Sequence, residues 1–408
     1  MPMLRLTIIC AATMAVAQCT RDFSVEPVMP SVRELTPLEK QLIETSNQFG
    51  LELFRQLASE EEGKNIFISP LSAAMALGMA YNGAAGSTEE AMRQTLRFGR
   101  MAADEINQSA RSLIQLLTQL DPAVTMEIAN SLWYRLGFAV EPEFIRLNRD
   151  YYRAEVQGLD FASPAAPSTI NAWVCDKTHG KISAIVDRID PRTMLYLINA
   201  IYFKGIWTRK FDPNRTQDDL FTSVDGTQVP CRMMTQEGEF SYFEDEDTQV
   251  VDLPYGNGMF SMLVVLPKLG WSADALADAV DVEKWNLWTG RLAKRRGSLQ
   301  LPKFKLEYEK SLKEALSALG MAEAFTDTAN FARINPQGNL FISEVKHKSF
   351  VEVDEKGTEA AAVTAVVVGV TSFDPGFFVM RVDRPFLFAI RERHSGSILF
   401  IGKVTKLG

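Results

Sequence analysis

The chain has 408 residues, of which 46% are hydrophobic and 23% are charged, and its formal net charge is −8. This composition is typical of a soluble globular protein with a large core, and the negative charge argues against general nucleic-acid binding. No long linker rich in proline, glycine or serine divides the sequence, so we expect one large domain after the N-terminal segment.

The N-terminus has the pattern of an export signal. A positively charged start precedes an apolar stretch, residues 6–16, that is too short to span a bilayer as a stable helix. We predict a signal peptide over residues 1–18, a flexible tether over 19–35 and a globular domain over 36–408. Two outcomes are open, namely secretion after cleavage, or lipid attachment at Cys19 and anchoring at the cell surface.

Helices dominate the first part of the predicted domain. Thr36-Pro37-Leu38-Glu39 is a capping box with proline at the first helical position, and an apolar helical face follows it. Ser69 is expected to cap a second helix that begins at Pro70, and Ser87 to begin a third through another capping box. Further helices are predicted at 103–120, 141–152 and 167–179.

Strands dominate the later part. Val124 begins an alternating apolar pattern, and Met194 to Phe203 form an apolar run. Shorter strands are predicted at 240–243, 250–253, 259–266, 298–305, 386–390 and 397–403. Residues 256–258 predict a hairpin turn, and two charged runs, 244–247 and 294–296, are expected to be solvated turns. Helices early and strands late favour an α+β domain.

The chemistry typical of an enzyme is missing from the sequence. His179, His347 and His394 have no metal-ligand spacing, and there is no phosphate-binding glycine loop or G-x-S-x-G motif. Cys175 and Cys231 are too few for a disulfide framework and are expected to be buried. We therefore expect no catalytic residue, no metal and no cofactor. The enzyme alternative is an exported hydrolase with a distant Ser–His–Asp arrangement.

A long uncharged segment lies near the C-terminus. No charged residue occurs between Glu359 and Asp374, and alanine and valine dominate the run. Such composition predicts a strand buried on both faces, but the run exceeds the usual length of about 5–6 residues. A polar hinge, 355–359, precedes it and a turn signal, 374–376, follows it. Because an exposed segment of this kind aggregates, the protein either buries it permanently or stores it for later burial.

This hinge resembles the reactive-centre hinge of inhibitory serpins. Its matching residues are Glu355, Gly357, Thr358, Glu359, Ala360, Ala361 and Ala362. Other segments similar to serpin motifs follow in the order of that family, at 65–72, 171–182, 199–207, 344–348 and 383–388. The resemblance covers residues 36–408. It implies the α+β serpin fold, a single domain with about nine helices around three β-sheets and an exposed reactive-centre loop over 355–382.

The resemblance implies a suicide inhibitor of serine-type endopeptidases and not an enzyme. A protease would cleave the loop and form an acyl-enzyme. Insertion of residues 358–370 into the main sheet would then trap it in a covalent 1:1 complex. Side chains alternate between the faces of a strand, so small uncharged residues share one face with Thr358, whereas Glu359 lies on the other. The inhibitor is expected to be a monomer whose partners are target proteases.

The position of the reactive bond follows from the length of the hinge-side segment in the family. Counting from the hinge places it between Thr371 and Ser372, with Val370 as the alternative attack position. No Arg or Lys occurs between Lys356 and Arg381. This favours elastase-like or subtilisin-like targets over trypsin-like proteases, and papain-like cysteine proteases stay open.

The resemblance also assigns supporting positions. Ser69, Ser72, Asn199 and His347 match the shutter, a buried polar cluster beneath the main sheet, and Trp207 matches the breach, where the loop enters. As ordinary core residues these side chains would look the same. The alternative function is that of a non-inhibitory serpin, acting as a carrier, chaperone or storage protein.

Overall fold

The computed structural model describes residues 32–190, 193–338, 340–358 and 376–407. Within these ranges the chain forms nine α-helices. They are α1 (Pro37–Glu60), α2 (Pro70–Tyr81), α3 (Gly86–Thr95), α4 (Ala103–Leu117), α5 (Pro142–Tyr152), α6 (Ala166–Lys177), α7 (Ala273–Ala279), α8 (Val282–Gly290) and α9 (Lys313–Leu316).

The same ranges contain fifteen strands, most of them in the second half of the chain. They are β1 (Ile66–Ile68), β2 (Val124–Arg135), β3 (Glu155–Leu159), β4 (Leu195–Ile206), β5 (Gln217–Thr222), β6 (Gln228–Glu244), β7 (Thr248–Tyr255), β8 (Phe260–Pro267), β9 (Ala293–Pro302), β10 (Phe304–Ser311), β11 (Lys346–Asp354), β12 (Gly357–Thr358), β13 (Phe378–Arg381), β14 (Phe386–Glu392) and β15 (Ile398–Val404).

The described strands form two hydrogen-bonded sheets. The six-stranded sheet has the order β10-β11-β12-β4-β2-β3, and the nine-stranded sheet has the order β1-β15-β14-β8-β7-β6-β9-β13, with β5 paired to β6. The expected third sheet is continuous with the second because the 17 residues of β6 pair with β5 at one end and with β7 at the other. The α+β class is confirmed.

Helices cover both faces of the six-stranded sheet. On one face α2 contacts β4 and also β15 of the other sheet, which places it in the interior between them. On the other face α6 buries Ile170 and Val174 in a separate cluster with Trp133 of β2. These two helices therefore cover apolar residues on opposite faces of the sheet.

Two predicted helix starts have different outcomes. At α1 the Thr36 hydroxyl accepts the Glu39 N–H at 3.2 Å, and the Glu39 carboxylate accepts the Thr36 N–H at 2.7 Å, so the capping box is confirmed. The predicted capping box at Ser87 is wrong, because α3 already begins at Gly86. The hydroxyls of Ser87 and Thr88 instead donate to the distant Glu323 carboxylate at 2.6 and 2.9 Å.

Two predictions about strands and turns need correction. Residues 294–296 are not a turn but part of β9, which pairs with β6. The predicted strand over 298–305 is divided at Lys303, where β9 ends and β10 begins in the other sheet. The turn predicted at 256–258 is confirmed between β7 and β8. The turn predicted at 244–247 is confirmed for residues 245–247, whereas Glu244 is the last residue of β6 and pairs with Gln249.

The end of the predicted tether contacts the domain. The Arg33 guanidinium donates to both carboxylate oxygens of Glu39, at 2.9 and 2.6 Å, and to the Ser112 hydroxyl at 2.7 Å. The backbone carbonyl of Arg33 lies 2.9 Å from Nε2 of His394. The Arg33 guanidinium holds the pKa of Glu39 at about 2, far below its ordinary value.

The two cysteines of the domain are half-buried free thiols, not the fully buried residues we predicted. Burial raises the pKa of the Cys231 thiol. Among the described residues, no helix combines the length and apolar character needed to cross a membrane.

Candidate functional site

The hinge enters the six-stranded sheet as β12, a strand of two residues. Gly357 pairs with Ile206 of β4, and Thr358 pairs with Gly205 of the same strand. Both residues also pair with the end of β11. Within the part of the chain that the structure describes, β12 is the element that joins β11 to β4 in the hydrogen-bond ladder. It runs antiparallel to both neighbours.

The side chain of Thr358 is buried against an aromatic pair. Its Oγ1 lies 2.7 Å from Oη of Tyr255, whose ring stacks on the indole of Trp207 with centroids 4.3 Å apart and planes 11° apart. The indole Nε1 donates to the Asp354 carbonyl, and the Trp207 N–H donates to the Lys356 carbonyl, both at 2.9 Å. Trp207 thus supports the turn between β11 and β12 from below. Burial raises the pKa of Tyr255, which keeps its phenol protonated.

The turn itself requires glycine at its end. Gly357 has φ +149°, and a Cβ at this position would lie 2.0 Å from the carbonyl oxygen of Gly205. A side chain is therefore excluded both by the backbone conformation and by the neighbouring strand. The Asp354 carboxylate accepts the N–H groups of Lys356 and Gly357 at 2.8 and 3.2 Å, which fixes the direction in which the hinge enters the sheet.

Glu355 joins the turn to the nine-stranded sheet. Its carboxylate accepts a hydrogen bond from the Thr216 hydroxyl at 2.9 Å and forms an ion pair with Lys303 Nζ at 2.9 Å. Its backbone carbonyl accepts a hydrogen bond from the Phe211 N–H. Burial alone would raise the pKa of Glu355. The hydrogen bonds from Lys303, its own backbone and Thr216 outweigh this effect and hold the pKa below its ordinary value. We call Trp207, Tyr255, Glu355, Gly357 and Thr358 the loop entrance.

Ser69, Ser72, Asn199 and His347 lie together in a chain of hydrogen bonds, which we call the lower polar cluster. The Ser69 N–H donates to Nε2 of His347 at 3.2 Å, and its hydroxyl donates to the Leu399 carbonyl at 2.7 Å. The same hydroxyl accepts the Ser72 N–H at 3.1 Å, and the Ser72 hydroxyl lies 3.5 Å from the Asn199 carbonyl. The cluster therefore joins the start of α2 to both β4 and β11.

Electrostatics fix the protonation of this cluster. Burial lowers the pKa of His347 to about 4, so the imidazole is neutral at pH 7. Because Nε2 accepts the Ser69 N–H, the ring proton belongs on Nδ1. The Asn199 amide donates to Asn130 Oδ1 at 2.6 Å, whereas its own Oδ1 is a buried acceptor that receives no hydrogen bond from the described residues.

The segment after α6 crosses the front of the sheet beside β12. The His179 ring lies 4.4 Å from the ring of Tyr202 on β4, and Lys181 Nζ lies 4.9 Å from the ring of Phe350 on β11. Lys181 also pairs with Glu352 at 3.8 Å. A cleft of about 20 Å³ lies under this segment, between β4 and β11 and next to Thr358. The segment therefore contacts both strands that flank the hinge.

Several predicted site residues lie outside the described residues. They are Glu359, Ala360, Ala361 and Ala362 of the hinge, Val370, Thr371 and Ser372 at the predicted reactive bond, and Cys19. Phe378–Arg381, which we included in the predicted loop, form β13 of the nine-stranded sheet. Within the described part of the chain, no three His, Cys, Asp or Glu side chains are grouped as they would be around a metal ion.

The sequence reasoning missed Tyr255 of the loop entrance and the two partners of Glu355, Thr216 and Lys303. Tyr255 ends β7, far from the hinge in sequence, whereas Thr216 directly precedes β5 and Lys303 lies between β9 and β10. Each contacts the hinge through tertiary structure alone. The one local signal was Gly256, whose turn places Tyr255 at the end of its strand.

The family model described as serpin (serine protease inhibitor) matches residues 44–407. Human neuroserpin is 35% identical to this chain over 363 residues, which cover 86% of this chain and 88% of neuroserpin. Iripin-2 of Ixodes ricinus is 36% identical over 376 residues, which cover 90% of this chain and 94% of iripin-2. These matches span nearly the whole predicted domain.

Solved structures agree with the sequence relatives. The native state of tengpin, a thermophilic serpin, has a TM-score of 0.84 at 33% identity and covers 92% of this chain and 96% of tengpin. Human thyroxine-binding globulin complexed with thyroxine has a TM-score of 0.83 at 30% identity and covers 91% of this chain and 99% of the globulin. The predicted serpin fold is confirmed, and the chain belongs to the serpin family.

Proposed function

We propose that this serpin is a suicide inhibitor of endopeptidases whose reactive-centre loop inserts between β4 and β11 after cleavage. The observation that carries the proposal is β12, because Gly357 and Thr358 already occupy the first two positions of a strand between β11 and β4. Continued pairing along both neighbours would add a central strand to the sheet. Each backbone group of the inserted segment would then pair within the sheet, on both sides of the new strand.

The orientation of Thr358 supports burial of the rest of the segment. Its side chain is 3% exposed and faces the buried Tyr255. Alternation along a strand puts every second residue on this same inner face. They are Ala360, Ala362, Thr364, Val366 and Val368. All are uncharged and small or medium in size, so none would carry a charge into the core.

The register supports the predicted length of the inserted segment. When the pairing of Thr358 with Gly205 is extended, residue 370 falls opposite residue 193, just beyond the start of β4 at Leu195. The segment 358–370 is therefore as long as the strand beside which it would lie. In the inserted state it would pass over the lower polar cluster, whose members join β4 and β11.

We infer that the targets are proteases with small or medium apolar specificity pockets, of the elastase-like or subtilisin-like kind, with papain-like enzymes as a further class. Mixing the purified protein with elastase-like, subtilisin-like, trypsin-like and papain-like proteases, followed by a denaturing gel, tests this. We expect a covalent 1:1 complex with at least one of the first two classes. Mass spectrometry of the released peptide should place the cut between residues 368 and 373, at Thr371–Ser372 or after Val370. A cut elsewhere contradicts the assignment.

The competing function is that of a carrier without inhibitory activity. It is favoured by the similarity to a globulin that was solved with thyroxine bound. A carrier would be cleaved without forming a covalent complex and without gaining stability. The uncharged inner face of the segment favours inhibition, because a carrier has no need of it.

We further propose that the protein is exported as a monomer, with residues 1–18 removed. The mass of the mature protein from its native host distinguishes two forms. A mass that matches the unmodified polypeptide indicates secretion, whereas added acyl mass on an N-terminal Cys19 indicates anchoring at the cell surface. A mature chain that retains residues 1–18 contradicts export by this signal.

A further inference from the structure

The turn that connects β8 to α7 presents two large apolar side chains to solvent. Leu269 is 91% exposed and Trp271 is 41% exposed. Gly270 between them has φ +102°, a backbone conformation that favours glycine, so this residue lets the turn bend sharply. A single exposed leucine is common on a protein surface, but this turn is firmly held and has exposed neighbours of a specific kind.

Contacts with the neighbouring turn between β6 and β7 hold this turn in place. The Trp271 N–H donates to the Lys268 carbonyl at 3.1 Å, and the Lys268 N–H donates to the Asp247 carbonyl at 2.7 Å. Lys284 Nζ lies 5.3 Å from the centroid of the Trp271 ring and 4.0 Å from the Asp247 carboxylate. Because the turn is already ordered, a partner that binds it loses little affinity to the entropy of ordering it.

The turn between β6 and β7 places negative charge beside these apolar side chains. Glu244 is paired with Arg295 at 2.8 Å and with Lys268 at 3.4 Å. Glu246, in the same turn, is exposed and forms no ion pair with another described residue. The surface therefore combines apolar contact area with an uncompensated negative charge. Such a surface is complementary to a partner that is apolar and basic.

A chain of polar contacts joins the turn to the first residue that the structure describes after the reactive-centre loop. Arg295 Nε donates to the Gly376 carbonyl at 2.8 Å, and the same guanidinium pairs with Glu244. Glu244 in turn pairs with Lys268, which directly precedes Leu269. The exposed turn therefore lies beside the residues that lead into β13.

Val379 of β13 extends the apolar surface. Its side chain is 61% exposed, and its carbonyl accepts a hydrogen bond from the Gln249 amide at 3.0 Å. Gln249 pairs with Leu266 near the end of β8, so Val379 lies close to the turn that follows β8. We call the exposed residues of this region, Leu269, Trp271, Val379 and Glu246, the Leu269 surface.

We propose that the Leu269 surface is a second docking site for the target protease, in addition to the reactive bond. The inference rests on the proposed inhibitory function and specifies how the partner is recognised. In the sequence the proposed bond ends at Ser372, four residues before Gly376, so a protease bound there lies at most about 14 Å from Gly376. A standard interface covers about 800 Å² of each partner, a disc of roughly 16 Å radius, and extends over the surface next to Gly376.

The composition of the Leu269 surface specifies the protease that fits it. Leu269 and Trp271 require an apolar groove, and Glu246 requires a basic side chain at the edge of that groove. The target is therefore a protease that carries both features next to its substrate cleft. Proteases with the same cleft specificity but a polar or acidic rim would be trapped more slowly, because docking would leave Glu246 beside a like charge.

The test measures the second-order rate constant of covalent complex formation with the protease that wild type traps fastest. Leu269→Glu places a charge on the apolar turn, and Glu246→Lys reverses the charge beside it. Leu136→Glu is the matched control, because Leu136 is a 60% exposed leucine in the turn after β2, in the other sheet. Melting midpoints and the inhibitor consumed per trapped protease are measured for each protein. Trp271→Ala serves if Leu269→Glu lowers the melting midpoint.

We expect Leu269→Glu to lower the rate constant at least about tenfold, since docking would bury an unpaired charge. Glu246→Lys should lower it about threefold at low salt and less at about 1 M salt, where exposed charges are screened. Both variants should keep the wild-type melting midpoint and the wild-type consumption per trapped protease, because the surface acts before cleavage. Leu136→Glu should behave as wild type.

Equal rate constants for Leu269→Glu and Leu136→Glu overturn the inference. If wild type still traps the protease in that case, the docking inference alone fails and the proposed function stands. If wild type forms no covalent complex with any of the four protease classes, the proposed function fails and the docking inference fails with it.

Discussion

The hydroxyl oxygen of Thr358 lies 2.7 Å from the phenol oxygen of Tyr255, and both side chains are buried. This contact joins the beginning of the loop to the core of the domain. Tyr255 stacks on Trp207, which in turn donates to the carbonyl of Asp354 at the end of β11. The hinge is therefore positioned between β4 and β11 by buried residues before any cleavage takes place.

Under the proposed function, replacing Thr358 with arginine should convert the protein from an inhibitor into a substrate of its target protease. The longer charged side chain cannot occupy the site beside Tyr255 without burying an unpaired charge, which costs several kcal/mol. Insertion would then be too slow to trap the acyl-enzyme. We expect the amount of inhibitor consumed per trapped protease to rise at least about tenfold, since each 1.4 kcal/mol changes a partition ratio tenfold. Lys356→Arg, in the same half-exposed turn, is the control and should inhibit normally.

The Thr358–Tyr255 hydrogen bond should show measurable coupling. Tyr255→Phe leaves the Thr358 hydroxyl buried without its partner and should lower the free energy of unfolding by about 1–2 kcal/mol. Thr358→Val leaves the Tyr255 hydroxyl buried without its partner and should lower the free energy of unfolding by a similar amount. The double variant removes both groups, so its loss should be smaller than the sum of the single losses. Urea unfolding of the four proteins measures this, and strictly additive losses would show that the contact contributes nothing.

The ion pair between Glu355 and Lys303 should stabilise the loop entrance. Lys303→Glu leaves the buried Glu355 beside a like charge and should lower the free energy of unfolding by about 1–2 kcal/mol, a value reduced because Lys303 is partly exposed. Adding Glu355→Lys restores opposite charges and should recover part of the loss.

Lys305→Glu is the matched control for this pair. Lys305 lies two residues along the chain and pairs with Glu307, and both side chains are more than half exposed. Reversing the charge at Lys305 should change the free energy of unfolding by less than about 0.5 kcal/mol. Equal effects of the Lys303 and Lys305 changes would mean that burial of Glu355 has no energetic consequence.

The lower polar cluster should make stability depend on pH. The pKa of His347 is about 4 in the folded protein, below the ordinary value of 6.5, because burial disfavours the imidazolium. Between these two pH values the unfolded chain binds more protons than the folded one. The contribution of His347 is therefore fully present above pH 6.5 and decreases as the pH falls toward 4, by on the order of 3 kcal/mol in total.

Comparison with His347→Gln isolates this contribution from the carboxylates, which titrate in both proteins. The glutamine carbonyl can still accept the Ser69 N–H. Unfolding free energies measured from pH 7 to 4 should fall less steeply for the variant. Parallel curves would show that His347 does not titrate on unfolding in this range.

Much of the site was predictable because many of its residues belong to short sequence motifs. The hinge residues, Trp207 and the four members of the lower polar cluster lie in short motifs. Their order along the chain follows that of the family. The Thr36 capping box was predictable for the same reason, since both of its partners are within one helical turn.

The remainder depends on contacts between residues distant in sequence. Glu355 pairs with Lys303, and Phe378 stacks on Tyr242, across separations that no periodicity encodes. Ser87 misled the capping prediction because its hydroxyl bonds Glu323 from another part of the chain. Arg295 looked like part of a solvated turn, yet it lies in β9, which pairs with β6, and its guanidinium lies 5.3 Å from the centroid of the Tyr242 ring.

The melting midpoints of intact and nicked protein test the central claim most directly. Insertion between β4 and β11 would provide backbone hydrogen bonds and apolar burial for the segment 358–370, which is rich in alanine and valine. We therefore predict that cutting the loop within residues 368–373, without dissociating the two fragments, raises the melting midpoint above that of the intact protein. Identical midpoints before and after the cut would leave insertion without a driving force and would contradict the account.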